Sequence, residues 1–423
     1  MEYLEVKGRA RLGGEIDVHG SKNSVLPILA GSVLIKGESV IHNCPDLSDV
    51  RATIGILRHL GATVKKSENT LVINAESITN STIPENMMQQ LRSSIIFLGS
   101  LVSRTGSACV YLPGGCEIGL RPIDMHLSAL KSLGYSVEFD GENICCKKGD
   151  VKSAKIVLPF PSVGATENAI LACVFIDGKT TIINAAREPE IEDLISFLNS
   201  AGAKIRGENT SVIEIEGVSS LHSTEHTVIP DRIEASTYMS ISAITSSELL
   251  INKVNHIHLA PNLEPFYEMG CELYLYDNSL RIKPPKRPKR VKKIETGAFP
   301  GFPTDSQAIT MAVLSIAGGS SMIKENIFES RFKHIPQLMR FGADITAVDS
   351  RAAIIHGVNS LHCAEAICTD LRGGAAVLCE ALAAEGTSVI KEIEHIDRGY
   401  ERIEETLKPI GADIKRKDDE QRS

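Results

Sequence analysis

Two phrases of apolar and polar residues alternate along the whole chain. In the first, a helix-like run ends in glycine and a small residue, then passes into residues of alternating polarity. It reads "IGILRHLGATVKK", "HLSALKSLGYSVEF", "LISFLNSAGAKIRG", "LEPFYEMGCELYLY", "IPQLMRFGADITAV" and "IEETLKPIGADIKR". The glycines are Gly61, Gly134, Gly202, Gly270, Gly342 and Gly411, separated by 73, 68, 68, 72 and 69 residues. This predicts an amphipathic helix, a left-handed glycine at its C-terminus and a half-buried strand, six times over. The second phrase lies roughly 23 to 28 residues upstream of each glycine, and in it an apolar run ends at a small turn and a short strand. Examples are "VLPILAGSVLIKGESVI", "NAILACVFIDGKTTII" and "QAITMAVLSIAGGSSMI". Runs this uniformly apolar predict helices buried on all sides. Units of about 70 residues in a chain of 423 favour an α/β fold of two domains over a solenoid. Each domain is expected to hold three repeats, with helices inside and sheets outside.

The residues just ahead of the apolar helices carry the chemistry. They read "HGSKN" (Lys22, Asn23), "QQLRSS" (Arg92), "PSVGATEN" (Ser162 to Thr166), "PDRIEAST" (Asp231, Arg232), "FPTDSQ" (Thr304, Asp305) and "TDLRGG" (Asp370, Arg372). Four of the six place Lys or Arg where the helix dipole is already positive, an arrangement that makes sense if an anion binds there. "SVGAT" frees several backbone N–H groups at a helix start, as a diphosphate cradle does. Asp305 reads either as an N-cap or as a catalytic base. Arg398, in "HIDRGYERIE", takes in its repeat the place that Arg121 takes in another. Arg121 itself follows "LPGGCEIG", a stretch whose glycines and prolines disfavour helix and strand and leave Cys116 on a loop near a guanidinium. Asp124 and His126 fall on the polar face of the helix after that loop. The basic run "KPPKRPKRVKK", residues 283 to 293, reads as a solvated linker because of its prolines.

Composition narrows the classes. The formal charge of −8 and the absence of Trp disfavour a nucleic-acid surface, and they sharpen the case for a small anionic ligand at a local positive site. No apolar run reaches the length of a membrane span. The ten cysteines show neither disulfide-framework nor zinc spacing, which reads as a reducing cytoplasm.

Taken together, "GSKN", "PGGCEIGLRPIDMH", "SVGATEN", "NAAREPEI", "PDRIE", "FPTD", "IFESRF", "TDLR" and "HIDRGYERIE" resemble the UDP-N-acetylglucosamine enolpyruvyl transferases, collinearly from about residue 3 to about residue 415. The resemblance implies two inside-out α/β barrel domains of three βαβαββ-type units each, with the active site in the cleft between them. The first domain would span 22–230 and carry the Cys116 loop; the second would combine 1–21 with 231–423. The reaction implied is transfer of the enolpyruvyl group of phosphoenolpyruvate to the 3′-hydroxyl of UDP-N-acetylglucosamine with release of phosphate. No metal or organic cofactor is implied, and no nucleic acid, membrane or obligate protein partner.

Carried over residue by residue, Lys22, Arg121 and Arg398 surround the phosphate and carboxylate of phosphoenolpyruvate, with Arg92 and Arg372 in the same pocket. Asn23, Arg121, Pro122, Ile123, Asp124, Ser162, Val163, Gly164, Asp305 and Ile327 match contacts to the sugar nucleotide. Cys116 matches the catalytic cysteine that the epoxide fosfomycin alkylates, Asp305 the group that takes or orients the hydroxyl proton, and Asp370 its neighbour. Phe160 stands where some members carry a lysine facing the diphosphate, and Ser21 and Gly373 stand where alanines are common. The rival readings are the sister transferase acting on shikimate 3-phosphate, which lacks the Cys116 loop, and a non-enzymatic repeat ring on DNA, which would line its hole with basic helix faces.

Overall fold

The six glycines all adopt the left-handed conformation that ends a helix, with φ between 89° at Gly270 and 108° at Gly61. At Gly61 a side chain would also lie 2.8 Å from the carbonyl oxygen of Ser77, so glycine is required on both counts. Each of these glycines follows a helix and leads into an outer strand: Thr63–Ser67, Tyr135–Asp140, Lys204–Arg206, Glu272–Tyr276, Asp344–Asp349 and Asp413–Asp418. Two of the helices, Ile335–Met339 and Ile403–Leu407, are only five residues long. Each carries a proline at its start or just beyond its end, at 336 and 409, which limits the turns available.

The computed structural model describes residues 2–9, 11–112 and 123–418; Cys116, Arg121 and Pro122 lie outside the described residues. Among those described there are six four-stranded sheets. In a typical one, Glu38–His42 pairs antiparallel with Thr70–Asn74 and parallel with Thr224–Thr227. That parallel strand arrives from far along the chain and closes the set of three repeats on itself. In the other unit Gly14–Asp17 closes the set in the same way, parallel to Leu249–Asn252, while Glu2–Lys7 sits antiparallel between Thr387–Lys391 and Asp413–Asp418 in the last sheet. Two compact units result. Among the described residues, one holds those up to His19 and those from Pro230 onward, and the other those from Gly20 to Ile229.

The inner helices are Lys22–Ser32, Phe97–Thr105, Val163–Cys173, Arg232–Thr245, Thr304–Leu314 and Leu371–Ala383. In Thr304–Leu314 every residue from Ser306 onward is buried, which is the outcome expected of a run with no polar face. The second inner helix departs from the simple pattern, because a 3₁₀ turn, Arg92–Ile96, precedes it. Asn168, from the third inner helix, inserts there: its Nδ2 donates to Ile95 O at 3.0 Å and its Oδ1 accepts from Gly99 N–H at 2.6 Å. A Cβ on Gly99 would fall 2.3 Å from that Oδ1, so glycine is what admits the amide.

Two sequence expectations are corrected. Cys109 and Cys145 form a disulfide. They lie 36 residues apart but are directly opposed in the antiparallel pairing of Ser107–Tyr111 with Asn143–Lys148, a register that spacing does not reveal. The basic run 283–293 is not a solvated linker. Val291 is buried, and Arg287 donates to the carbonyls of Ile316, Ala317, Gly357 and Val358 and to Asn359, tying the segment to the next repeat.

Buried polar groups in the helix cores create a pH liability. Glu380, on the sixth inner helix, is fully buried, and among the described residues only the Ser315 hydroxyl offsets the cost of burying its carboxyl group. Burial pushes its pKa well above the ordinary glutamate range. The folded state therefore holds a proton that the unfolded state releases, and stability falls as pH rises from the ordinary glutamate range through the raised value. Glu380→Gln removes that proton. Between about pH 5 and pH 9 urea unfolding of the variant should lose less stability than the parent, Glu167 and His19 contributing the same slope to both, so that the variant gains about 1 to 3 kcal/mol relative to the parent at the alkaline end; equal pH slopes for variant and parent would contradict it.

Candidate active site

In the unit that begins at Gly20, Lys22 is the first residue of its inner helix, and its Nζ lies 2.8 Å from Asp49 Oδ2. Asp49 sits in the first turn of Ser48–Leu60, where the dipole favours a carboxylate. The Lys22 charge is thus partly compensated before any ligand arrives. Asn23 is the next residue of the same turn. In the third inner helix Ser162 is the N-cap, its Oγ accepting from Ala165 N–H at 3.4 Å. Val163 and Gly164 open the helix, and amides of a first turn have no intrahelical acceptor. Phe160, 43 % exposed, stands just ahead of this cap. Ile123 precedes the helix Asp124–Ser132, which Asp124 opens with an exposed carboxylate on the favourable end of the dipole. Arg92 lies in the 3₁₀ turn rather than at an α-helix start, the displacement that Asn168 produces.

In the other unit the charged groups form a connected set. Asp305 is the second residue of the fifth inner helix, so the N-cap reading fails: the cap position falls on Pro303. Its carboxylate accepts from Arg331 Nη2 at 2.8 Å on Oδ1 and from Arg372 Nη2 at 3.2 Å on Oδ2. Both arginine side chains are almost wholly buried, while Asp305 keeps 28 % of its side chain exposed. Arg372 also donates to the Tyr400 hydroxyl at 3.3 Å, which meets Thr237 Oγ1 at 2.7 Å. Burial alone would depress the Arg372 guanidinium, but Asp305 and the surrounding oxygens hold its pKa above the ordinary value.

Asp370 is the N-cap of the sixth inner helix, with Oδ1 accepting from the amides of Arg372 and Gly373 at 3.0 and 3.1 Å. Burial works to raise its pKa, yet Arg331, His334 and those amides together bring it below the usual value. His334 is pushed down to about 4, chiefly by burial. Arg398 ends the 3₁₀ segment Ile393–Arg398. Gly399 then packs so closely on Leu371 that a Cβ would lie 2.8 Å from Leu371 Cδ1, which holds this segment against the start of the sixth helix. The Ile327 amide donates to Glu325 Oε1 at 2.7 Å, and Glu325 also accepts from Thr296 and Thr304 hydroxyls, each at 2.9 Å.

Arg331 and Glu325 were not singled out from the sequence. Arg331 falls in the quoted "IFESRF", but no spacing links it to Asp305, 26 residues away.

Comparison with known proteins gives this arrangement a family. The family model described as EPSP synthase (3-phosphoshikimate 1-carboxyvinyltransferase) matches residues 6–407. A protein of Caldanaerobacter subterraneus named UDP-N-acetylglucosamine 1-carboxyvinyltransferase 2 is 50% identical, covering 98% of this chain and all of its own length. The chain belongs to the UDP-N-acetylglucosamine 1-carboxyvinyltransferase family. Another member, from Trichlorobacter lovleyi, is 44% identical over 98% of this chain and 99% of its own. The fold is shared with solved enolpyruvyl transferases. NikO from Streptomyces tendae superposes with a TM-score of 0.89 at 24% identity over 98% of both chains. An EPSP synthase from Acinetobacter baumannii gives 0.75 at 17% identity over 99% of this chain and 100% of its own. The family's shared architecture is the two-domain inside-out α/β fold seen here.

Asp370 caps a helix and faces a buried arginine at once, so its loss should be felt in stability. Asp370→Ala is expected to lower the unfolding free energy by about 1 to 3 kcal/mol, with Asp370→Asn recovering part of it through the retained cap acceptor. Urea denaturation reads this directly; no loss in the alanine variant would show the cap to be dispensable.

Proposed function

We propose that this chain transfers the enolpyruvyl group of phosphoenolpyruvate to the 3′-hydroxyl of UDP-N-acetylglucosamine, releasing phosphate, as the first committed step of peptidoglycan synthesis. The observation that carries this is the match to relatives of that name over nearly the whole length of both proteins, at up to 50% identity. The product feeds cell-wall growth, and hence cell shape and division, and the reaction belongs in the cytoplasm. Among the described residues no helix is long and apolar enough to cross a membrane.

In this reading the acceptor oxygen attacks C2 of phosphoenolpyruvate while C3 takes a proton, giving a tetrahedral intermediate. Loss of a proton from C3 and of phosphate from C2 then restores the double bond. Cys116, which lies outside the described residues, supplies the C3 proton. Asp305 takes or orients the proton of the 3′-hydroxyl. Its partial exposure leaves it reachable, and its two arginines favour the carboxylate form that a base requires. Asp370 assists indirectly, by fixing Arg331 and the start of the sixth helix. Lys22, Arg121 and Arg398 balance the phosphate and carboxylate charge, with Arg92 and Arg372 beside them. Asn23, Arg121 to Asp124, Ser162 to Gly164, Asp305 and Ile327 hold the sugar nucleotide, the free amides of Val163 and Gly164 facing its diphosphate. Phe160 cannot supply the charge that a lysine there would, so backbone amides carry more of that contact.

Phosphate release from phosphoenolpyruvate should require UDP-N-acetylglucosamine and stop on treatment with fosfomycin, whose epoxide the Cys116 thiolate opens. Cys116→Ser should lower kcat by about 10²- to 10⁴-fold, the range of a lost general acid. Release with shikimate 3-phosphate instead would place the chain with the sister enzyme, and release with neither acceptor would refute the reading.

A further inference from the structure

His126, on the helix Asp124–Ser132, has no place in the mechanism above, yet it is 8 % exposed and its ring lies against Gly164 at the start of the third inner helix. Its surroundings determine which ring nitrogen carries the proton. Asn168 Oδ1 must accept from the Gly99 amide, since an Nδ2 at 2.6 Å from that N–H would set donor against donor, and Nδ2 must donate to the Ile95 carbonyl. The same Nδ2 lies 3.0 Å from His126 Nδ1, so its second proton points at the ring. Nδ1 is therefore the acceptor. Burial pushes the imidazole pKa down to about 4, so the ring is neutral and its one proton sits on Nε2.

That Nε2–H has no hydrogen-bond partner among the described residues. It lies beside Gly164: a Cβ on Gly164 would be 3.1 Å from His126 Cε1 and 3.3 Å from Nε2. Any side chain at 164 would crowd the ring edge, and glycine leaves it open. The Asn168 amide thus fixes the tautomer, aims the donor at the helix start, and holds the Arg92-bearing turn through the same group.

We propose that His126 is a further substrate-binding residue, whose Nε2–H donates to a diphosphate oxygen of the sugar nucleotide alongside the first amides of the helix Val163–Cys173. This rests on the substrate reading given above. A neutral donor suits the place: the amides and helix dipole already supply positive potential, and a hydrogen bond from an uncharged ring adds direction without repelling them.

The test uses the full chain and UDP-N-acetylglucosamine as the probe, without phosphoenolpyruvate. Nitrogen-15 NMR of the imidazoles should show His126 as the Nε2–H tautomer, with its Nε2 resonance shifting on saturation by the nucleotide. In calorimetry His126→Leu should weaken binding about tenfold or more, the scale of a lost hydrogen bond to a charged group. His126→Gln can place an N–H near the same position and should recover most of the lost affinity. A resonance unmoved at saturation, or a leucine variant that binds like the parent, would overturn the assignment. The NMR titration needs only the parent protein, so it decides the matter even if the leucine variant fails to fold. Absence of any binding by the parent would instead sink the substrate reading itself.

Discussion

A helix buried on every side can meet a ligand only at its ends. The six inner helices set that constraint, because the body of each is buried, with partial exposure at first turns such as Val163–Gly164 and Thr304–Asp305 and at the far end of Phe97–Thr105. Apolar burial of these runs is the main stabilising term, at roughly 25 cal/mol per Å² removed from water, and it forbids polar chemistry along the helix bodies. Chemistry collects at the N-termini, where backbone amides lack partners and the dipole is positive. Glu380 shows what happens when an ionisable group sits deeper in a core: it is kept neutral.

The charges at those termini are held by the protein itself. Lys22 faces Asp49, and Arg331 and Arg372 both face Asp305. Burying such groups unpaired would cost several kcal/mol each, so partners are needed whatever the ligand does. In the proposed reaction the same pairing would also serve catalysis, since the two guanidiniums favour the carboxylate form of Asp305 and Asp305 in turn keeps Arg372 charged. The anion-site reading of bare cations at helix starts is modified accordingly: an incoming anion shares cations that already have carboxylate partners.

What the sequence shows most clearly is local. The glycine-ended helices and the apolar runs recur at fixed spacing because each repeat must form the same turn and bury the same helix, and a single chain displays both. Features that depend on register or on another repeat stay hidden. Cys109 and Cys145 meet only because two strands align; Glu2–Lys7 enters the last sheet from the opposite end of the chain. Asn168 breaks a helix that belongs to the preceding repeat. Arg331 reaches Asp305 from a later segment, and a proline-rich basic run gave no hint that Arg287 would collect carbonyls from two segments of the next repeat, Ile316–Ala317 and Gly357–Val358. Of the site residues named from the family motifs, Lys22, Asn23, Ser162, Val163, Gly164, Asp305, Asp370 and Arg372 fall at inner-helix starts, whereas Arg92 and Arg398 lie in 3₁₀ segments and Ile327 lies between elements; which group touches which is a matter of tertiary structure.

Hydrogen exchange with and without UDP-N-acetylglucosamine tests most directly whether the inner-helix starts are the ligand-facing surface. Slowed exchange is expected at the opening turn of Val163–Cys173, with no change in edge strands such as Glu272–Tyr276. Protection confined to edge strands, with the helix starts unchanged, would contradict it.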